Sequence, residues 1–196
     1  MRSNLKLIGG RTIKSPKAEN ARPTSLIVRE AIFNILSTTV LDSIWLDLFS
    51  GSGSIACEAY NHGAKKILAV EKNKTNAFIC KSNLLSLEGA LKRKKDIEII
   101  CWDVFSWIEK SKKMKRILTN IDLEKNKFDF IYLDPPYSNN YYYKVLEEIF
   151  NSNLISERTI VIYEHSKRNC VEKNKLWKII DIRSYGQSTI TFLVKI

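Results

Sequence analysis

Two short stretches of this chain bring together residue types that could do chemistry. The first is Leu46-Asp47-Leu48-Phe49-Ser50-Gly51-Ser52-Gly53-Ser54, an apolar run holding one acid and feeding a glycine turn. Glycines such as Gly51 and Gly53 let a backbone approach a ligand where any Cβ would collide. Glu71 closes the next apolar run, where a carboxylate can accept hydrogen bonds from ribose hydroxyls. The same pattern fits a nicotinamide or flavin site, or a plain structural turn. Three features favour S-adenosylmethionine: the acid Asp47 inside the first run, the lack of a second nucleotide-binding half, and the second motif below. A carboxylate near Asp47 suits a ligand carrying an ammonium and a sulfonium and suits a pyrophosphate poorly. Phe49, inside the turn, is grouped with the cofactor-binding candidates. Asp103, in Cys101-Trp102-Asp103-Val104, can accept from an adenine amino group, and can equally cap the helix that begins at Val104.

The second stretch is Asp134-Pro135-Pro136-Tyr137, directly after the apolar run Phe128 to Leu133. Two consecutive prolines stiffen a loop at the C-terminal end of a strand, where open α/β sheets bind ligands. An exocyclic amine is a poor nucleophile because its lone pair is delocalised into the ring. A rigid pair of acceptors, the Asp134 carboxylate and the Pro135 carbonyl, can hold the NH₂ hydrogens and aim the nitrogen at a methyl donor. Tyr137 can stack on an extruded base, a contact worth roughly 1–3 kcal/mol. Positioning then supplies much of the catalysis.

These residues need a scaffold, and the hydropathy pattern supplies one. Short apolar runs at Ile44 to Phe49, Lys66 to Val70, Ile97 to Cys101, Phe128 to Leu133 and Thr159 to Tyr163 alternate with helical stretches. The stretches Ser54 to Asn61, Lys74 to Leu87, Val104 to Lys110 and Tyr141 to Phe150 are long enough for crossover helices, so the pattern predicts a parallel sheet covered on both faces. Two further runs, Trp177 to Arg183 and Ser188 to Ile196, meet at Tyr185-Gly186-Gln187 and predict a terminal antiparallel pair. Upstream, Leu5 to Ile13 reads as a hairpin or extended arm around Gly9-Gly10. Val28, Ala31, Ile32, Ile35 and Leu36 follow a helical period behind a Thr24 or Ser25 cap. The Lys110 to Lys127 stretch is the candidate long loop.

With 196 residues, the chain fits one globular domain: a basic N-terminal arm and helix over 1–38 packed on a main body over 39–196. A net charge of +11 points to a polyanionic partner, and residues 1–38 carry seven Lys or Arg against two acids. Arg11, Arg22 and Arg29 are therefore candidate substrate contacts. As alternatives, Arg29 could pair with an acid such as Asp42, Thr24 could serve as a helix cap, and the basic clusters could be solvated surface. Cys57, Cys80, Cys101 and Cys170 lack metal-ligand or redox spacing, and His62 and His165 have no ligand partner at useful spacing, so no metal is expected. The N-terminus has no signal-like apolar stretch, and no segment approaches the roughly 18 apolar residues of a membrane span. A soluble, cytoplasmic monomer is the expectation.

Arg22-Pro23-Thr24 with Val28-Arg29-Glu30-Ala31-Ile32-Phe33-Asn34, the Asp47 to Gly53 turn and Asp134 to Tyr137 resemble the RsmD-type 16S rRNA (guanine-N2)-methyltransferases. Ile8-Gly9-Gly10 is similar to that family's opening, and Gly186-Gln187 to the turn before its last strand. The resemblance spans nearly the whole chain. It implies a seven-stranded Rossmann-like α/β methyltransferase fold with a short N-terminal extension, S-adenosylmethionine as donor, and one guanine of small-subunit ribosomal RNA as substrate. It also implies that Asp47, Gly51, Gly53, Glu71 and Asp103 fall on cofactor positions and Asp134 to Tyr137 on the catalytic loop, with Thr24 helping to roof the cofactor. Two features differ from the family's pattern: the run Arg11 to Lys17, and a Lys110 to Lys127 insertion that looks longer than usual.

Rivals share the motifs. Adenine-N6 DNA methyltransferases use the same Asp-Pro-Pro-Tyr loop, but 196 residues leave little space for a separate target-recognition region. Protein glutamine-N5 methyltransferases usually begin the loop with Asn. Carbon methylation of a pyrimidine needs a cysteine nucleophile, and no Pro-Cys motif is present. A non-catalytic rRNA-binding assembly factor would have damaged cofactor or catalytic motifs, whereas both are intact here.

Overall fold

The computed structural model describes residues 3–16, 24–92, 96–113, 127–135, 139–167 and 175–196. Strands β1 (Ser3–Lys6) and β2 (Thr12–Ser15) form an antiparallel hairpin. Helix α1 (Leu26–Leu36) opens at Ser25, whose hydroxyl accepts from the Val28 N–H. Its buried face, Val28, Ile32, Phe33 and Leu36, follows the helical period read from the sequence.

The main unit continues as β3 (Ile44–Leu48), α2 (Ser54–Asn61), β4 (Lys66–Val70), α3 (Lys74–Leu91), β5 (Asp96–Ile100), α4 (Val104–Lys113), β6 (Phe130–Leu133), α5 (Asn139–Phe150), β7 (Ile160–Ser166), β8 (Trp177–Tyr185) and β9 (Ser188–Lys195). The seven strands are ordered β5-β4-β3-β6-β7-β9-β8. Pairings through β7 are parallel, and β9 is antiparallel to both β7 and β8. This is the seven-stranded arrangement that the resemblance implies.

Two apolar clusters sandwich the sheet. Leu46, Leu48, Ile131 and Leu133 face α4 and α5, packing on Trp107, Val145 and Leu146. Trp45, Ala69, Phe130, Tyr132 and Ile162 face α1, α2 and α3. Every residue of β3 and β6 is buried, so these strands read as continuous apolar runs rather than alternating ones. Each large side chain buried here stabilises the fold by roughly 1.5–3 kcal/mol. The exception in β3 is Asp47, 1% exposed and on the same face as Trp45. Among the described residues, no helix is long and apolar enough to cross a membrane.

The strand order places the chain reversal at β3. From there the chain runs outward to β4 and β5, then returns to the other side at β6. Ligands bind at such a switch point, outside the carboxyl ends of the strands.

Candidate active site

Sheet register brings the two motifs together. Leu48 is level with Val70 and with Leu133, and Val70 with Ile100. The residues that follow these strand ends, Phe49, Glu71, Cys101 and Asp134, therefore line one edge, with strands spaced about 4.8 Å apart.

The glycine turn is built by backbone geometry few residues tolerate. Gly51 and Gly53 have φ of 53° and 76°. A Cβ on Gly53 would stand 2.4 Å from the Cys80 sulfur of α3, so that glycine serves packing of the turn on α3. Around a Cβ on Gly51 nothing lies within 4 Å among the described residues, so this glycine faces open space. Phe49 holds φ of 62° although it has a bulky side chain, a conformation costing on the order of 1–3 kcal/mol that clusters at functional sites. Glu71 ties the turn to β4: its Oε2 accepts from the Gly51 N–H at 2.8 Å and its Oε1 from the Asn73 N–H at 2.7 Å.

Asp47 lies beneath the turn. Its Oδ2 accepts from the Ala56 N–H at 3.1 Å, whereas its buried Oδ1 has no hydrogen-bond partner among the described residues. Burial raises its pKa to about 8; the Ala56 bond opposes that rise, and the Glu71 charge adds to it. Among the described residues, no cation pairs with it.

Asp103 takes the capping role considered for it. Its Oδ1 accepts from the Ser106 N–H and hydroxyl, capping α4, and its Oδ2 lies 3.5 Å from the exposed Lys72 ammonium. Burial works to raise its pKa, but the Ser106 bonds and the Lys72 charge outweigh it and hold the carboxyl below its ordinary range. Trp102 and Phe105, both partly buried, pack against the core beside it.

Asp134 is half-buried and Pro135 buried; Pro136 and Tyr137 lie outside the described residues, as do Arg22 and Pro23. Removal from water, then the charges of Glu164 and Asp47, push the Asp134 pKa well above the carboxylate range. Thr24 is buried, and its hydroxyl is 3.0 Å from the Tyr132 hydroxyl. Tyr132 in turn donates to Glu164 Oε2 at 2.5 Å. Thr24 thus joins a polar network with Tyr132 of β6 and Glu164 of β7; the α1 cap is Ser25. Sequence reading did not find Tyr132 and Glu164. The available signal was an acid at an inward-facing position of an apolar strand, the same signal that marked Asp47.

The expectation for Arg29 is overturned. It is 1% exposed, pairs with Glu58 of α2, and donates to the Thr24 and Lys6 carbonyls. With its guanidinium fork filled inside the protein, it cannot grip an RNA phosphate, and its acid partner is Glu58, not Asp42. Arg11 remains exposed at the hairpin turn. His62 bonds the Glu58 carbonyl and stacks on Phe33, while His165 bonds Thr191 and the Ser166 carbonyl. Both serve structure. Among the described residues, no group of three or more His, Cys, Asp or Glu could hold a metal ion.

Comparison with known proteins adds an independent line. Residues 6–194 match the family described as conserved hypothetical protein 95. A relative from Buchnera aphidicola, named Ribosomal RNA small subunit methyltransferase D, is 28% identical over 171 residues, covering 87% of this chain and 80% of that one. Among solved structures, the Escherichia coli protein yhhF superposes with a TM-score of 0.78 at 18% identity over 98% of each chain. The Streptococcus mutans protein SMU.776, solved in complex with SAH, superposes with a TM-score of 0.72 at 14% identity, covering 98% of this chain and 56% of that one.

Proposed function

The chain belongs to the conserved hypothetical protein 95 family, of RsmD type, and from that membership we propose that it transfers a methyl group from S-adenosylmethionine to the exocyclic N2 of a guanine in 16S ribosomal RNA. The observation that carries the reading is the strand edge itself. Asp47 belongs to β3, Glu71 and Asp103 follow β4 and β5 on one side of it, and Asp134 follows β6 on the other.

The residues present fit the cofactor. The unpartnered, buried Asp47 Oδ1 and the open approach at Gly51 suit a cationic ligand. Glu71 would hold the ribose hydroxyls, Asp103 the adenine amino group, and Phe49 and Trp102 apolar surface beside them. Bound there, S-adenosylmethionine supplies a methyl group already made electrophilic by its sulfonium. The chain's own part is placement: Asp134 and the Pro135 carbonyl hold the amine hydrogens and orient the nitrogen, with Tyr137 stacking on the base. A net charge of +11 and the exposed Arg11 and Lys14 of the hairpin suit an RNA partner. The relative's name supports the small-subunit substrate, and the basic segment before α1, with Arg22, is the proposed RNA-facing part of a single domain working as a monomer.

The direct test offers radiolabelled S-adenosylmethionine with naked 16S rRNA, small subunits, DNA and protein, followed by nucleoside analysis. N2-methylguanosine in small-subunit RNA is the expected product. Label in DNA adenine or in protein would overturn the substrate while leaving the donor in place.

Asp47 gives a pH prediction. Its raised pKa means that its contribution to stability of the free protein is present below its ordinary pKa of 3.8 and is lost as pH rises through about 8. Asp47→Asn is therefore expected to gain thermal stability relative to wild type as pH increases across that window. Binding a cation beside Asp47 should expel its proton, so affinity for S-adenosylmethionine rises about tenfold per pH unit below pH 8. Titration calorimetry in buffers of different ionisation enthalpy reads that proton directly; a binding enthalpy independent of buffer near pH 7 would refute the assignment.

A further inference from the structure

The mechanism so far leaves a buried acid unused. Glu164 is 4% exposed, in the last third of β7. The register that pairs Leu133 with Tyr163 brings Asp134 level with Glu164 on the next strand. In a parallel pair, residues at the same level point to the same face, which here is the face of Tyr132, Ile162 and Asp47. Glu164 is held there by Tyr132, whose hydroxyl donates to Oε2, and Tyr132 is held by Thr24, whose hydroxyl then donates to the phenol oxygen. Burial and the charges of Glu164 and Asp134 keep the Tyr132 phenol protonated well beyond its ordinary range, so it remains a donor. A residue before α1, a tyrosine in β6 and an acid in β7 thus form one buried chain ending beside Asp134.

Resting on the functional reading above, we infer that Glu164 is a positioning residue for methyl transfer: anchored by Thr24 and Tyr132, its carboxylate stands beside Asp134 and makes Asp134 the proton acceptor for the amine. Methylation of an exocyclic amine must release a proton. The nitrogen lone pair forms the new N–C bond, the C–S bonding pair goes to sulfur, and one N–H proton leaves the resulting ammonium. Asp134 takes that proton onto a carboxylate oxygen, and the second negative charge beside it makes this uptake favourable. The groups facing the pair from the surrounding elements are Asp47 of β3, with Glu71 beyond it, Tyr132 of β6, and Thr24 ahead of α1. All the titratable members of that set are acids or a phenol, so the described surroundings supply no cation to relieve the repulsion.

Glu164→Gln removes the charge, keeps the shape and still accepts from Tyr132. The acid limb of the kcat–pH profile is expected to move to lower pH by roughly one unit or more, because Asp134 then ionises more readily. Glu164→Asp, which restores the charge, should return the limb towards its wild-type place. A merely structural residue would lower the rate at every pH and leave the limb where it was, and that outcome in an active protein overturns the inference while the functional reading stands. Carbon-13 titration of the labelled Asp134 carboxyl in wild type gives a second reading that needs no variant. A midpoint well above the ordinary carboxylate range is expected, and a midpoint inside that range overturns the inference. Wild type that transfers no methyl group overturns the functional reading and this inference together.

Discussion

Asp134→Ala is expected to lower methyl transfer by roughly 10²–10⁴-fold, the usual worth of a positioned acid or base, while the dissociation constant of S-adenosylmethionine stays close to wild type. The separation follows from the sheet. Asp47 lies on β3, and Glu71 and Asp103 follow β4 and β5, whereas Asp134 follows β6 on the far side of β3. Removing Asp134 leaves every contact proposed for the cofactor intact. It also removes a carboxyl that crowds Asp47 and Glu164, so the folded protein should lose little stability and gain some above neutral pH. Asp134→Asn divides the role further: its carbonyl can still hold an amine hydrogen, but the amide cannot take up the proton. An intermediate loss in the Asn variant would assign part of the effect to orientation and part to proton acceptance. Single-turnover transfer beside calorimetric titration measures both quantities, and normal turnover in Asp134→Ala would remove the residue from the catalytic role.

Legibility in the sequence followed the range of the forces involved. Helix α2 and strand β4 begin and end where the hydropathy pattern places them, because period and turn residues are local signals. Helices α3 and α4 run a few residues past their expected ends, and β6 starts two residues late. Such boundaries depend on caps and packing more than on period. The acids at strand ends were readable because an acid next to a glycine turn or a double proline has few structural reasons to be there. What could not be read was pairing at a distance. Glu58 sits in an ordinary-looking helix, and only the packing of α1 on α2 shows it to be the partner of Arg29, 29 positions away. Tyr132 and Glu164 meet 32 positions apart through strand register, which no single segment encodes. The positive φ of Phe49 is likewise a property of the closed turn. Arg22, Tyr137, Cys170 and most of the Lys110 to Lys127 stretch lie outside the described residues, so their expected roles rest on the sequence.

Arg29→Ala should separate a structural arginine from an RNA-binding one more sharply than any activity assay. Arg29 and Glu58 are both essentially inaccessible, and the same guanidinium reaches the Lys6 and Thr24 carbonyls. Glu58 also accepts from the Ile8 N–H, so one buried ion pair fastens the hairpin, the segment ahead of α1 and α2 to one another. Truncating Arg29 leaves Glu58 buried without its cation, and burial already raises the Glu58 pKa despite the Ile8 bond and the Arg29 charge. Breaking one side of such a pair costs about 3–5 kcal/mol, or a fall in Tm of roughly 6–20 °C for a chain of this length. The double variant Arg29→Met with Glu58→Gln, which leaves neither charge stranded, should recover part of that loss. An arginine that served RNA would behave in the opposite way: folding stability would be unchanged, and RNA affinity would fall together with its salt dependence. Because Thr24 is fastened by the Arg29 side chain, the single variant should also loosen the chain from Thr24 through Tyr132 to Glu164. A lowered transfer rate in Arg29→Ala would then report the catalytic strand losing its support, and it should be regained with stability in the double variant. A full loss of stability without any change in transfer rate at low temperature would show that the hairpin clamp and the catalytic strand are independent.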